Sequence, residues 1–139
     1  MKPQGTLIYK CPVCQTVVEV LANHGMELVC CGPQMECVRD TPVQGDDDHA
    51  MTLERTACGT RVRVGASGHA MDVDHHIQWI ELLTAGRSVR QFLAPGELPE
   101  AVFAVTDPAA IARCYCTVHG LRRSPAKPVP EPGMTPCAA

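Results

Sequence analysis

Near the end of its strand-like pattern the chain reads Arg113-Cys114-Tyr115-Cys116-Thr117-Val118-His119-Gly120. Cys116 and His119 lie three positions apart, which suits two ligands of one metal ion that come from the end of a strand and the turn after it. A second cluster, Gly68-His69-Ala70-Met71-Asp72-Val73-Asp74-His75-His76, lies upstream, and His49 stands alone before it. Because most of the 6 histidines fall in these places, four histidines and one cysteine predict a five-donor metal site.

Length and composition limit the class of protein. The chain has 139 residues, enough for one ordinary domain or a small one with an accessory module. A net charge of -3 gives no whole-chain signature of binding to nucleic acid or to an anionic membrane. No apolar run is long enough to span a bilayer, and the first ten residues do not resemble a signal peptide. We therefore expect a cytoplasmic protein with no nucleic-acid or membrane partner.

The 9 cysteines are the outlying feature of the composition. A disulfide framework prefers an oxidising compartment and an even number of cysteines. A cytoplasmic chain keeps its thiols reduced and free for metal, so metal binding is the preferred interpretation.

The first four cysteines fall in two pairs, Cys11-Pro12-Val13-Cys14 and Cys30-Cys31. Between them, residues 16–21 and 26–29 predict a hairpin that returns the second pair to the first. Four thiolates would then meet at one tetrahedral site, where the two adjacent cysteines must splay to reach the same ion. Spacing does not separate iron from zinc, which would use the same thiolates only to hold a small fold together.

Beyond an acidic linker, short extended segments alternate with turn residues at regular intervals, which predicts an antiparallel β-sandwich. The segments cover residues 51–56, 60–64, 77–83, 88–93, 101–105 and 111–116. Trp79, the only tryptophan, is expected to pack between the sheets. The proline-rich end of the chain predicts an extended or disordered tail, in which Cys137 is given no metal role.

Five protein donors leave one octahedral position open, and an open position distinguishes a reactive metal site from a structural one. Imidazoles suit iron, copper, nickel or zinc, while a thiolate donates electron density strongly to the metal. This donor set favours redox chemistry on a small anion. Three neighbours are expected to stay outside it: His76 on the opposite face from His75, His24 in solvent, and Cys114 packed behind Cys116.

Taken together, these motifs resemble the desulfoferrodoxins, the superoxide reductase type that carries two iron centres. The resemblance extends from about Ile8 to Gly120 and fills, in order, all nine metal-ligand positions of that family. The motifs that carry it are Cys11-Pro-Val-Cys14, Cys30-Cys31-Gly32, His49, His69-Ala-Met-Asp-Val-Asp-His75-His-Ile-Gln-Trp79-Ile-Glu-Leu and Cys116-Thr-Val-His119-Gly120.

The resemblance implies a mostly β protein with three parts and two non-haem irons. Residues 1–38 would form a small desulforedoxin- or rubredoxin-like module, residues 39–123 an immunoglobulin-like sandwich, and residues 124–139 a disordered tail. The module would hold one iron on Cys11, Cys14, Cys30 and Cys31. The sandwich would hold a ferrous iron on His49, His69, His75 and His119, with Cys116 as the axial ligand.

The implied activity is one-electron reduction of superoxide to hydrogen peroxide, in defence against oxidative stress. Rubredoxin or a similar small redox protein would supply electrons, and the family resemblance suggests a homodimer. The alternatives are an iron-binding electron-transfer protein with little catalysis and a structural zinc protein.

This chain departs from the family beside the first histidine ligand, where Asp47-Asp48 replaces the usual Glu-Lys. Asp47 is one methylene shorter than the carboxylate that can cap oxidised iron. Asp48 reverses a charge beside the open position, and charges at a cleft change association rates by about 10-fold or more at low salt. A milder departure is Thr117, which stands where asparagine is usual.

Overall fold

The computed structural model describes residues 6–22, 24–25, 27–43, 48–65 and 67–124. The chain divides into two compact units, of which the first ends at Arg39 and the second begins at Asp40. Asp47 lies outside the described residues, and so does the proline-rich tail except for Ser124.

The first unit is a three-stranded antiparallel sheet with β1 (Leu7–Lys10) between β2 (Val17–Val20) and β3 (Glu36–Val38). The predicted return strand at 26–29 is wrong, since of its described residues only Val29 is paired, in an isolated bridge. The physical reason is that these residues turn back on residues 34–35 and not on β2: the N–H of Met35 donates to the carbonyl of Leu28 at 2.7 Å, and Val29 bridges Gln34. β2 lies at the edge of the sheet and pairs with β1.

The second unit is the predicted sandwich of two sheets. Its strands are β4 (Thr41–Pro42), β5 (Met51–Thr56), β6 (Gly59–Val64), β7 (Ile77–Thr84), β8 (Arg87–Phe92), β9 (Glu100–Phe103), β10 (Ile111–Cys116) and β11 (Gly120–Arg123). A five-stranded sheet has the order β4-β11-β10-β7-β8, and a three-stranded sheet has the order β5-β6-β9. All pairs are antiparallel except β4 with β11.

The core between the sheets is aliphatic and includes two cysteines. Val62 and Val64 of β6 face Ile80 and Leu82 of β7, and Cys114 and Cys116 of β10 belong to the same buried cluster. Because side chains alternate along a strand, Trp79 lies on the outer face of β7. The prediction that Trp79 packs between the sheets is therefore wrong.

On that outer face Trp79 stacks on Tyr115 with ring centroids 5.6 Å apart, and the guanidinium of Arg90 lies 4.6 Å from the Trp79 centroid. Next to this stack, fully buried Glu81 accepts hydrogen bonds from Arg90 Nη2 at 2.8 Å and Arg113 Nη2 at 3.0 Å. We call Glu81, Arg90 and Arg113 the ion cluster.

The ion cluster extends to Asp40, whose carboxylate lies 3.6 Å from Arg113 Nη1. Burial raises the pKa of Asp40 more than its attraction to Arg113 lowers it. A helix long and apolar enough to cross a membrane is absent from the part of the chain described above.

Candidate metal centres

The first group of donors is formed by the sulfurs of Cys11, Cys14, Cys30 and Cys31, which all lie within 4.8 Å of one another. The Sγ atoms of Cys14 and Cys30 are 3.6 Å apart, and those of Cys30 and Cys31 are 3.9 Å apart. A tetrahedron with metal–sulfur bonds of about 2.3 Å has edges of about 3.8 Å. The four sulfurs therefore fit a single ion.

Left-handed backbone allows the adjacent cysteines to reach one point. Cys31 has φ +55° and is followed by Gly32 at φ +100°. In ordinary extended backbone, neighbouring side chains point to opposite faces. The left-handed residue breaks that alternation, which accounts for the splaying predicted from the sequence.

The sulfurs of Cys11 and Cys14 have different hydrogen-bond partners. The backbone N–H groups of Val13 and Cys14 each donate to Cys11 Sγ at 3.4 Å, whereas Cys14 Sγ lies 3.0 Å from the hydroxyl of Thr16. In the metal-free chain the Thr16 hydroxyl is the main cause that lowers the pKa of Cys14 to about 6. The hydrogen bond with Cys14 raises the pKa of Cys30 to about 12, so of these two thiols Cys14 is the more acidic.

The second group of donors lies at strand ends of the sandwich. His49 precedes β5, His69 follows β6, His75 precedes β7, Cys116 ends β10, and His119 lies in the turn between β10 and β11. Their five donor atoms all lie within 4.8 Å of one another. His119 is exposed, so the group has one side toward solvent.

The four imidazoles form a closed ring. Successive ring centroids are 4.7 Å apart for His49 and His69, 4.9 Å for His69 and His75, 5.1 Å for His75 and His119, and 4.9 Å for His119 and His49. With metal–nitrogen bonds of about 2.1 Å, opposite nitrogens of a square would be about 4.2 Å apart, inside the observed spread. Four equatorial nitrogens around one ion fit this ring.

Individual ring nitrogens support the same assignment. His69 Nδ1–H donates to the carbonyl of Ala70 at 2.7 Å, which leaves Nε2 with its lone pair for a metal. His75 Nε2 is buried and has no hydrogen-bond partner among the described residues. The Nδ1 atom of His119 lies 3.6 Å from Cys116 Sγ. Burial lowers the pKa of His69, which favours the neutral form that binds metal.

Both halves of the chain match known protein families. The family model described as desulfoferrodoxin matches residues 44–124, and the one described as the desulfoferrodoxin N-terminal domain matches residues 3–38. The chain belongs to the desulfoferrodoxin family. Its two donor groups, four cysteines in the first unit and four histidines with one cysteine in the second, fit the two iron centres of that family.

Individual relatives cover nearly the whole folded chain. It is 42% identical to a desulfoferrodoxin of Desulfarculus baarsii and 43% identical to one of Nitratidesulfovibrio vulgaris, in each case over 85% of this chain and 94% of the relative. Among solved structures, the superoxide reductase of Treponema pallidum has the same fold, with a TM-score of 0.70 over 87% of this chain and 98% of that one, at 22% identity.

The other residues singled out from the sequence lie outside the two donor groups. Cys114 is buried in the core behind Cys116, as predicted, and neither His24 nor His76 belongs to a donor group. Asp48 is exposed beside buried His49.

One position that shapes the site was missed from the sequence. Gly65 has φ +83°, and a Cβ built on it would lie 2.7 Å from the backbone nitrogen of His69 and 3.0 Å from the carbonyl oxygen of Asp48. Only glycine allows the segments that carry the first two histidines to approach this closely. Its position just after a predicted strand was the available signal. Thr117, noted above because it stands where asparagine is usual, accepts a hydrogen bond through its hydroxyl from the N–H of His76 at 3.2 Å.

Proposed function

We propose that this protein is a superoxide reductase, which reduces superoxide by one electron to hydrogen peroxide in defence against oxidative stress. The observation that carries the proposal is the convergence of one thiolate and four imidazoles on a single point with an exposed edge. The reaction itself is inferred from the family and from the name of the Treponema protein of the same fold.

Iron is the proposed metal at both groups. The first would be held by Cys11, Cys14, Cys30 and Cys31, and the second by His49, His69, His75, His119 and Cys116. A ferrous ion bound in the second group would supply the single electron that superoxide requires. We assign this group to the sandwich of residues 39–123 and the four-cysteine group to a desulforedoxin-like module of residues 1–38.

Cys116 contributes charge and electron density from the buried side of the site. It ends β10 within the core, where its side chain is fully buried, so the thiolate approaches from the protein interior. One thiolate and neutral imidazoles leave a net positive charge when a divalent ion is bound, which attracts an anion. Superoxide would then be drawn toward the exposed edge of the site at His119.

Solvent access at His119 supplies the protons. Superoxide needs one electron and two protons to become hydrogen peroxide, and the exposed His119 edge lets water deliver both protons. Water at this edge favours protonation and release of peroxide over cleavage of the O–O bond. Asp47 is the proposed cap for the oxidised iron. Exposed Asp48 sets the local charge that an approaching anion meets.

The remaining proposals concern partners. Rubredoxin or another small redox protein is the proposed electron donor, a homodimer is the proposed assembly, and both rest on the family resemblance. The cytoplasm is the proposed compartment, because both groups need reduced thiolates.

Pulse radiolysis of the reduced iron protein tests the proposal. Fast oxidation that follows the superoxide pulse, with one peroxide formed per superoxide consumed, is the expected result. Cys116→Ser, which keeps a donor of similar size, should abolish the ferric-thiolate absorption and slow the oxidation. One peroxide for every two superoxides would indicate dismutation, and oxidation too slow to matter would indicate an electron carrier; either result refutes the reductase proposal.

A further inference from the structure

A pair of hydrogen bonds joins the two segments that carry three of the five donors. The backbone N–H of Thr117 donates to the carbonyl of His76 at 3.0 Å, and the backbone N–H of His76 donates to the hydroxyl of Thr117 at 3.2 Å. Thr117 follows donor Cys116, and His76 follows donor His75. Both hydrogen bonds therefore lie within one residue of a donor on each side.

The geometry extends the ladder between β10 and β7 by one rung. Cys116 pairs with Ile77, and the register shifts between Tyr115 and Cys116, so regular backbone pairing is already irregular at this end. In an antiparallel rung two residues exchange two N–H···O bonds between their backbones. Here the Thr117 hydroxyl replaces its backbone carbonyl as the acceptor, which allows the chain to turn immediately toward His119.

The turn that follows Cys116 explains why a side-chain hydroxyl, and not a backbone carbonyl, accepts this hydrogen bond. Residues 117–119 form the tight turn between β10 and β11, in which Cys116 pairs with Gly120 at φ +81°. A side-chain acceptor thus allows the turn and the rung to coexist. We propose that Thr117 is a positioning residue, whose hydroxyl fixes the segment of His75 against the turn that carries Cys116 and His119.

This inference depends on the proposed metal role of the second group and not on the proposed reaction. If the rung fixes these donors, its loss should let the His75 segment move relative to Cys116, and the metal should then dissociate faster. A hydrogen bond of this kind contributes about 1 kcal/mol net, which corresponds to about fivefold in a rate or an equilibrium.

The test compares Thr117→Val, which keeps the β-branched shape without the acceptor, with Thr117→Ser, which keeps the hydroxyl. Thr52→Val makes the same chemical change at an exposed position of β5 and serves as the control. Three readouts on full-length protein purified with iron are amide exchange at His76, the rate of iron loss to a chelator, and the energy of the ferric-thiolate absorption.

We expect Thr117→Val to raise the exchange rate of the His76 amide and the rate of iron loss by about fivefold each, and to shift the absorption band. Thr117→Ser and Thr52→Val should match the unsubstituted protein. Equal behaviour of the valine and serine variants at position 117, or an unchanged His76 amide in the valine variant, overturns the inference. Thr117→Val could raise the exchange rate of the His76 amide as expected while the unsubstituted protein does not react with superoxide. That result would refute the proposed function and leave the positioning role of Thr117 intact.

Discussion

Replacing Glu81 by glutamine should strongly destabilise the second unit, although Glu81 lies on the sheet face away from the inter-sheet core. Glu81 is fully buried and accepts from Ser88 Oγ at 2.8 Å as well as from both arginines of the ion cluster. Arg113 is only 2% exposed and also lies 3.6 Å from the carboxylate of Asp40. Removing one member of a buried ion pair costs about 3–5 kcal/mol, because the other charge stays buried after it has lost that partner.

Urea unfolding followed by tryptophan fluorescence measures this loss directly. Trp79 is the only tryptophan and lies on the same sheet face as Glu81, so its signal reports the second unit alone. Zinc-loaded protein avoids quenching by iron. With a slope of about 1–3 kcal/mol per molar urea, the midpoint should fall by at least about 1 M.

Glu54→Gln is the matched control, because Glu54 pairs with Arg61 at 3.9 Å while both side chains are about half exposed. Exposed pairs contribute about 0–1 kcal/mol, so the midpoint should barely move. The double variant Glu81→Met with Arg113→Met should lose less than the sum of the two single variants, since no unpaired member of that pair remains. A loss at Glu81 no larger than at Glu54 would refute the reasoning.

Three further predictions concern the site itself. Gly65→Ala should lower metal occupancy and cost at least about 1–2 kcal/mol of stability. Gly68→Ala is the control, because Gly68 has a similar φ of +90° but nothing within 4 Å of the added Cβ, so it should show only the backbone strain. Equal losses of stability in the two variants would rule out the backbone clash as the cause. Asp48→Lys should speed oxidation by superoxide by about 10-fold at low salt and much less at high salt, as measured by pulse radiolysis; an unchanged rate would place the steering charge elsewhere. In the metal-free chain, burial lowers the pKa of His69 below its unfolded value. The stability that this group contributes is therefore complete above about pH 6.5 and should be lost as the pH falls through the folded pKa. Between pH 8 and pH 5 the urea midpoint of His69→Asn should fall less than that of the unsubstituted protein.

Sequence spacing predicted the donor sets because each ligand lies at an end of a recognisable strand or turn. The CxxC loop and the segment ending at Cys116 are local patterns. Alternation of apolar residues placed β5 and β6 closely, and the turn residues between short extended segments placed β10. Trp79 was misplaced because the outer face of β7 is also buried, a fact that depends on packing and leaves no mark on local periodicity.

Contacts between distant residues were the part that spacing could not predict. The close approach at Gly65 brings together segments on either side of the β5–β6 hairpin, and the rung at Thr117 joins residues 41 positions apart. Likewise, the return strand at 26–29 was predicted from a local pattern, but β2 pairs with β1 instead. In each case the local structure depends on which distant residues pair with the segment, and a single sequence does not identify that partner.

The unequal burial of the two donor groups has a consequence for how the protein matures in the cell. The second group lies at strand ends of a sandwich that has its own aliphatic core, so this half of the chain can fold first and acquire its ion afterwards from the exposed His119 edge. Among the described residues of the first unit only Ile8 and Cys11 are buried, so we expect this unit to need its ion to become stable. Because zinc competes well for nitrogen and sulfur ligands, we expect the first unit to take the metal that is available while it folds, and the second unit to take the metal that is available afterwards.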